Sequence, residues 1–181
     1  MSVVESVRWS ADGRAVDIID QRLLPGRLER RELRTVDDVC DAIATLAVRG
    51  APAIGVAGAM GLVVALAPFA ADRHEAFLRR ARELGERIAG VRPTAVNLSW
   101  AVRRMLDTAS RTAGEGATIV GAMRDEATRI LDEDRAMCRR IGEHGLSLLA
   151  EGARVLTHCN AGALATPDVM TESKGKHKST A

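Results

Sequence analysis

From Ala51 to Ala67 the chain carries no charged residue, and any fold it adopts must find a place for that stretch. The run lies between Pro52 and Pro68 and contains Gly55, Gly58 and Gly61. At about 16 residues it falls short of the ~20 needed to cross a bilayer, so a helix buried in protein is expected. Pro52 suits the first turn of such a helix, where its missing N–H is not needed, and the small residues let neighbouring backbones come close. A buried helix needs partners. With 46% hydrophobic and 28% charged residues the chain has the composition of a soluble globular protein that can supply them, and 181 residues allow one domain or one domain plus part of a second.

The partners are legible as periodic segments. Residues 3–33 read as a small antiparallel meander: VVESVRW alternates toward Val7 and Trp9, Asp12-Gly13 turns, AVDIID returns with Val16 and Ile18, and Pro25-Gly26 turns again toward LERREL. Thr35 is expected to cap a helix with Asp37 and Asp38 in its first turn, carrying Val36, Val39, Ile43 and Leu46 inward and ending at Arg49-Gly50. Asp72 and Glu75 suggest a capping box for a helix with Phe77, Ala81, Leu84 and Ile88 on one face and Gly90 at its end. A further helix is expected from Pro93 or Thr94, with Leu98, Val102, Met105 and Ala109 inside. The longest periodic segment runs from about 117 to 150, with Val120, Met123, Ala127, Ile130, Met137, Ile141 and Leu148 on one stripe and Gly142 and Gly145 as potential kinks. Asp134 and His144 interrupt that stripe, either as polar groups satisfied by neighbours or in a binding role. Residues 154–158 then read as a strand, and Asn160-Ala161-Gly162 as a turn into a helix start, the opening of a parallel βα unit.

The expected fold class is therefore α+β: a small N-terminal antiparallel sheet and a helical bundle over 1–150, the first strand of a truncated Rossmann-like domain over 151–166, and an atypical polar tail over 167–181. All three lysines, Lys174, Lys176 and Lys178, lie in that tail, and every arginine lies before it. The tail has no hydrophobic period and is expected to be disordered. The switch in composition fits a shifted reading frame, an artificial junction, a spliced-in end or an ordinary surface tail. A net charge of +2 with mixed signs, and only four aromatic residues (Trp9, Phe69, Phe77 and Trp100), argue against a nucleic-acid partner. Three cysteines at wide spacing, with no basic and apolar leader, point to the cytoplasm.

Chemistry-bearing residues are few. Cys159 would sit at the carboxyl end of a strand before a helix N-terminus, where ligands gather and a thiolate is favoured; the alternative is an inert buried thiol. Cys40 and Cys138 fall on or beside apolar faces. Arg49 in RGAP and Arg92 in RPTA each precede a proline-started helix, a position suited to binding an anion such as a phosphate, or else are solvated surface charges. No cysteine and histidine pair has zinc-ligand spacing.

The stretches DQRLLPG (20–26), VRGAPAIGVAGAMGL (48–62), RPTAVNLSWAV (92–102), EDRAMCRRIGEHG (133–145) and VLTHCNAGALAT (155–166) resemble, in order and spacing, the methylthioribose-1-phosphate isomerases. The resemblance covers residues 3–166. It implies an aldose–ketose isomerase of methionine salvage that converts 5-methylthioribose 1-phosphate to 5-methylthioribulose 1-phosphate. It also implies a small β/helical domain followed by a Rossmann-like one, a homodimer, and no metal or nucleotide cofactor. By the same resemblance Arg49, Gly50 and Ala51 match the substrate-binding RGA motif, Arg92 the substrate-binding arginine, and Cys159 the catalytic cysteine. The family's catalytic aspartate, a binding glutamine and an Asn-Lys pair belong to the second domain, beyond residue 166, so this chain is expected to be an incomplete and inactive form. Similar folds serve the ribose-1,5-bisphosphate isomerases and the non-catalytic regulatory subunits of initiation factor 2B, which stand as alternatives.

Overall fold

A computed structural model describes residues 4–150, 152–159 and 161–166. Its N-terminal strands β1 (Val7–Trp9), β2 (Val16–Ile19) and β3 (Arg30–Leu33) form an antiparallel meander in the order β1-β2-β3. Val7 lies opposite Ile18 and Val16 opposite Leu33. These four side chains are fully buried, as the period of two requires for a sheet with one face on a core. On the other face Asp17 of β2 accepts from Arg8 Nε at 2.8 Å and Arg30 Nε at 2.7 Å. At the turn between β1 and β2, Asp12 accepts from the Ser10 hydroxyl and the Arg14 N–H, which hold its carboxyl down at about 2.

Among the described residues there are five α-helices: α1 (Val36–Ala44), α2 (Ala51–Leu66), α3 (His74–Gly90), α4 (Val96–Arg111) and α5 (Gly116–Leu146). Thr35 caps α1 in a reciprocal box with Asp38. The helix ends at Ala44, earlier than its periodicity suggests, because Leu46 takes a left-handed conformation (φ 61°) and turns the chain back. Ala47 O then accepts from Gln21 N–H, and Ala47 and Val48, rather than Leu46, are buried. The capping box expected at Asp72 is absent: Arg73 is the N-cap with no side-chain bond, and the Asp72 carboxylate pairs with Arg80. Residues 92–95 form a turn closed by Ala95 N–H to Arg92 O, so α4 starts slightly later than expected.

All of α2 from Ala53 to Leu66 is buried. Residues Ala51–Phe69 are long and apolar enough to cross a membrane by composition alone, but here they form the core helix around which the others pack. A β-carbon at Gly55 would lie 3.1 Å from Asn97 O, one at Gly58 2.4 Å from Leu98 Cδ1, and one at Gly61 2.6 Å from Val39 Cγ1. The first two contacts bring the N-terminal ends of α2 and α4 together. Helix α5 buries Ile119, Met123, Ala127 and Ile130, then passes Gly142 without a break while Met137 and Ile141 of the same stripe are exposed. Leu148, beyond the helix, is exposed, as is His144. Asp134 is half-buried with Cys138 Sγ 3.9 Å away.

Arg104 ties α4 to α5. Its Nε donates to Glu126 at 2.5 Å, and its Nη1 and Nη2 donate to the two oxygens of Glu133 at 2.5 and 2.8 Å. Glu126 is 7% exposed and is also bonded by Arg129. The Arg104 fork pulls the Glu133 carboxyl below the ordinary glutamate range against the opposing effect of burial.

The strand expected at 154–158 is not formed. Residues 153–158 have no regular structure, and Leu156 is 98% exposed. A strand's N–H and C=O groups need a neighbouring ladder, and none of the three strands pairs with this segment. The polar tail at 167–181 lies outside the described residues.

Two measurements check this packing. Val39 is β-branched on a fixed helix and cannot swing away from a new methyl, so Gly61→Ala is expected to destabilise by about 1–3 kcal/mol. That appears as a lower urea midpoint at unchanged slope; an unaltered midpoint would refute the close α1–α2 contact. Glu133, its carboxyl lowered in the fold, contributes stability that is present above the ordinary glutamate value of about 4.3 and is lost as pH falls through its lower folded value. The difference in thermal midpoint between the wild type and Glu133→Gln is therefore expected to shrink from about pH 6 to about pH 3.

Candidate active site

The RGA segment opens α2. Gly50 is its N-cap with φ 91°, a left-handed conformation natural to glycine, and it lets the chain turn from the α1–α2 connection straight into the helix. Within the first turn, Pro52 has no N–H, Ala53 N–H donates to Ala165 O at 3.2 Å, and Ile54 N–H donates to Gly50 O at 3.0 Å. The Ala51 N–H is thus the first-turn donor left uncommitted among the described residues, at the end of the helix where the backbone dipole favours an anion. Arg49, next to it, is exposed, and among the described residues its guanidinium makes no hydrogen bond or ion pair.

The segment after Cys159 lies directly on this helix start. Residues 162–166 wind a single turn on Gly162 O, which accepts from Ala165 N–H at 2.9 Å and Thr166 N–H at 3.3 Å. A β-carbon at Gly50 would sit 2.4 Å from both Ala165 Cα and Ala165 O. Two sequence motifs at opposite ends of the chain are in backbone contact. Cys159 itself is exposed, in a non-helical loop with φ 64°, and lies neither at a strand end nor at a helix start. Its Cα is tethered within about 11 Å of Gly162 by the three intervening peptide links. Cys40 is half-buried with its thiol pushed up by burial, and Cys138 is buried.

Arg92, half-buried, occupies the turn before α4 and makes no side-chain bond among the described residues. Because the N-terminal ends of α2 and α4 touch, its turn and the RGA segment belong to the same end of the bundle. Beside them a cavity of about 320 Å³ is lined by Pro52, Gly55 and Val56 of α2, Asn97 and Trp100 of α4, and Glu133, Asp134 and Met137 of α5. Three of the motif stretches therefore converge on one hollow. The periodicity of α5 marked Asp134 as an anomaly on its apolar stripe, and the cavity is the place where that anomaly falls. Asn97 and Glu133 gave no separate signal beyond their membership of the motifs. Gln21, which holds the Leu164 carbonyl, likewise gave only its membership of DQRLLPG, and Ser6, which holds the Thr166 carbonyl, gave none at all. Among the described residues no group of His, Cys, Asp and Glu gathers closely enough to hold a metal ion.

Comparison with known proteins places these features in one family. The chain is 52% identical over 168 residues to the methylthioribose-1-phosphate isomerase of Gemmatimonas aurantiaca, covering 93% of this chain and 48% of that protein. It is 37% identical to the crystal structure of 5-methylthioribose 1-phosphate isomerase from Pyrococcus horikoshii OT3, with a TM-score of 0.83 over 91% of this chain and 46% of the other. It is 37% identical also to the translation initiation factor eIF-2B, subunit delta, of A. fulgidus, with a TM-score of 0.80 over 91% of this chain and 47% of the other. The chain spans about half the length of the curated relatives it matches. The family model described as the initiation factor 2 subunit family matches residues 47–179, from the approach to the RGA segment through the Cys159 loop and on into the lysine-bearing end, and the chain belongs to that family.

Proposed function

We propose that this chain carries the N-terminal domain and the cysteine loop of an aldose–ketose isomerase that converts 5-methylthioribose 1-phosphate to 5-methylthioribulose 1-phosphate in methionine salvage. The observation that carries the reading is the contact of Gly50 with Ala165, which joins the RGA segment to the loop that bears Cys159. The phosphate on C1 blocks simple opening of the sugar to a free aldehyde. The enzyme must therefore assist ring opening and then move hydrogen between C2 and C1, work that requires a phosphate cradle and an acid/base pair in a pocket shielded from water. The Ala51 N–H with the uncommitted guanidiniums of Arg49 and Arg92 suits the phosphate. The neighbouring cavity combines hydroxyl-binding groups (Asn97, Glu133, Asp134) with apolar walls (Val56, Trp100, Met137), a mix that suits a sugar with an apolar substituent.

In this reading Cys159 supplies one acid/base partner, and a second domain supplies the other as a carboxylic acid. Residues 154–158 become the first strand of that Rossmann-like domain once neighbouring strands are present, and the whole protein is a cytoplasmic homodimer. The same scaffold without turnover, as an initiation-factor-like binding subunit, is the second reading, favoured by the fold match to the eIF-2B delta subunit.

A turnover assay with 5-methylthioribose 1-phosphate decides between them. The 181-residue chain is expected to be inactive, and the chain extended to the length of its relatives to be active. In the extended protein Cys159→Ala is expected to lower kcat by roughly 10²–10⁴-fold. An inactive extended protein would reject the isomerase reading in favour of the binding subunit. Thiol labelling gives an independent check: Cys159, being exposed, is expected to react ahead of Cys40 and Cys138, and substrate to protect it in the extended protein.

A further inference from the structure

The stretch DQRLLPG opens with Asp20 and Gln21, which sit just after β2, and the reading above uses neither. Asp20 is explained locally: its carboxylate caps the short turn Gln21–Leu23 and binds Arg22. Gln21 is not. It is 6% exposed, and its Nε2 donates at 2.7 Å to Leu164 O. Ser6, immediately before β1 and 1% exposed, donates from Oγ at 2.9 Å to Thr166 O. With Ala53 N–H on Ala165 O, three successive carbonyls of the 162–166 turn are held by three different parts of the N-terminal domain.

We propose that Gln21 and Ser6 are positioning residues: they dock the 162–166 turn on the RGA start of α2 and so hold the Cys159 loop against the phosphate-binding end of the bundle. This rests on the isomerase reading. Backbone carbonyls have no side-chain identity, so the turn can be fixed only by donors brought to it. A buried amide and a buried hydroxyl are suitable because each is a neutral donor that is itself partnered in the same contact. A glutamine has the reach to cross from the sheet to the turn, and its NH₂ cannot be replaced by a carboxylate without facing acceptor to acceptor. The docking also fills one donor of the α2 first turn, Ala53 N–H, leaving the Ala51 N–H beside Arg49 for the ligand. Residues 162–166 thereby both carry the cysteine loop and define the edge of the anion site.

Two readouts test this separately from the activity it serves. In the 181-residue chain, amide exchange at Ala53 reports docking directly, since its acceptor is Ala165 O. Gln21→Leu and Ser6→Ala are each expected to raise that exchange roughly three- to tenfold, the worth of one hydrogen bond, with the amides of α3 and α4 unchanged. Ser6→Thr, which keeps the hydroxyl, is expected to restore protection. Unchanged exchange at Ala53 in the Gln21→Leu, Ser6→Ala double variant would overturn the docking. In the chain extended to its relatives' length, Gln21→Leu is expected to lower kcat on 5-methylthioribose 1-phosphate about tenfold with KM altered less than about twofold, because the cysteine loop moves while the phosphate donors stay. An unaltered kcat in an active extended protein would overturn the positioning role. An inactive wild-type extended protein would instead overturn the isomerase reading and the positioning role together, and the exchange result would then stand for the docking contact alone.

Discussion

A helix can be surrounded on every side only if its neighbours' backbones approach closely, and in α2 that approach depends on residues without side chains. Gly55 and Gly58 admit α4, and Gly61 admits Val39 of α1. Larger residues at these points would push the partner helices outward and open the core that Met60, Leu62 and Leu66 fill. The same geometry sets the end of the bundle that bears the RGA and RPTA motifs. Contact at Gly55 and Gly58 holds the first turn of α4 against the N-terminal half of α2, which puts the Arg49 and Arg92 turns toward one end of the bundle, with a hollow bordered by α5 beside them. The hollow is a by-product of how a glycine-rich helix is packed.

Charge is handled by guanidinium groups throughout the described residues. Asp17, Asp20 and Glu126 are the buried carboxylates, and each is bonded to at least one arginine. A buried carboxylate without a partner would be costly, and the planar fork of arginine can satisfy several acceptor sites at once where lysine offers a point charge. Arg104 shows the use most fully, binding Glu126 through Nε and both oxygens of Glu133 through its two terminal nitrogens. Against that background the uncommitted guanidiniums of Arg49 and Arg92 stand out by their place, each at the approach to a helix whose N-terminus lies against the other.

What could be read from the sequence follows physical lines. The inward faces of α3 and α4 were legible residue by residue, because Phe77, Ala81 and Ile88, and Leu98, Val102, Met105 and Ala109, repeat at the helical period and are buried. The meander was legible from alternation and turn residues, and the Thr35 cap from its residue type and acidic first turn. The early end of α1 was not, since Leu46 in a left-handed conformation obeys the needs of the chain reversal rather than its own propensity. The α5 stripe was legible as a pattern, but periodicity states which side chains could be buried together and not whether anything packs on them. Met137 and Ile141 are exposed on that account. Arg49, Gly50 and Ala51 were singled out through motif and helix-start logic, and the structure puts them at the start of α2. Gln21 and Ser6 were not, because a side chain that binds a distant carbonyl has no local signature.

Cys159 shows the difference most clearly. The sequence placed it at the carboxyl end of a strand, where local geometry alone would present it; in the structure that strand is absent, Cys159 is exposed, and it is the turn following it that packs on the RGA segment. Ordering five residues of that turn costs roughly 5–10 kcal/mol at 1–2 kcal/mol per residue. At least six hydrogen bonds hold it, three to the N-terminal domain and three within the turn to Gly162 O, contributing about 0.5–1.5 kcal/mol each, or roughly 3–9 kcal/mol together. Burial of Ala165, only 2% exposed against Gly50, adds a smaller apolar contribution. The two sides nearly balance, so the docked turn is held with little margin. A β-carbon at Gly50 would remove the contact that tips the balance, and this is a reason for glycine at that position distinct from its backbone angle. The RGA segment that opens α2 is thus also the one that decides whether the 162–166 turn stays docked on it.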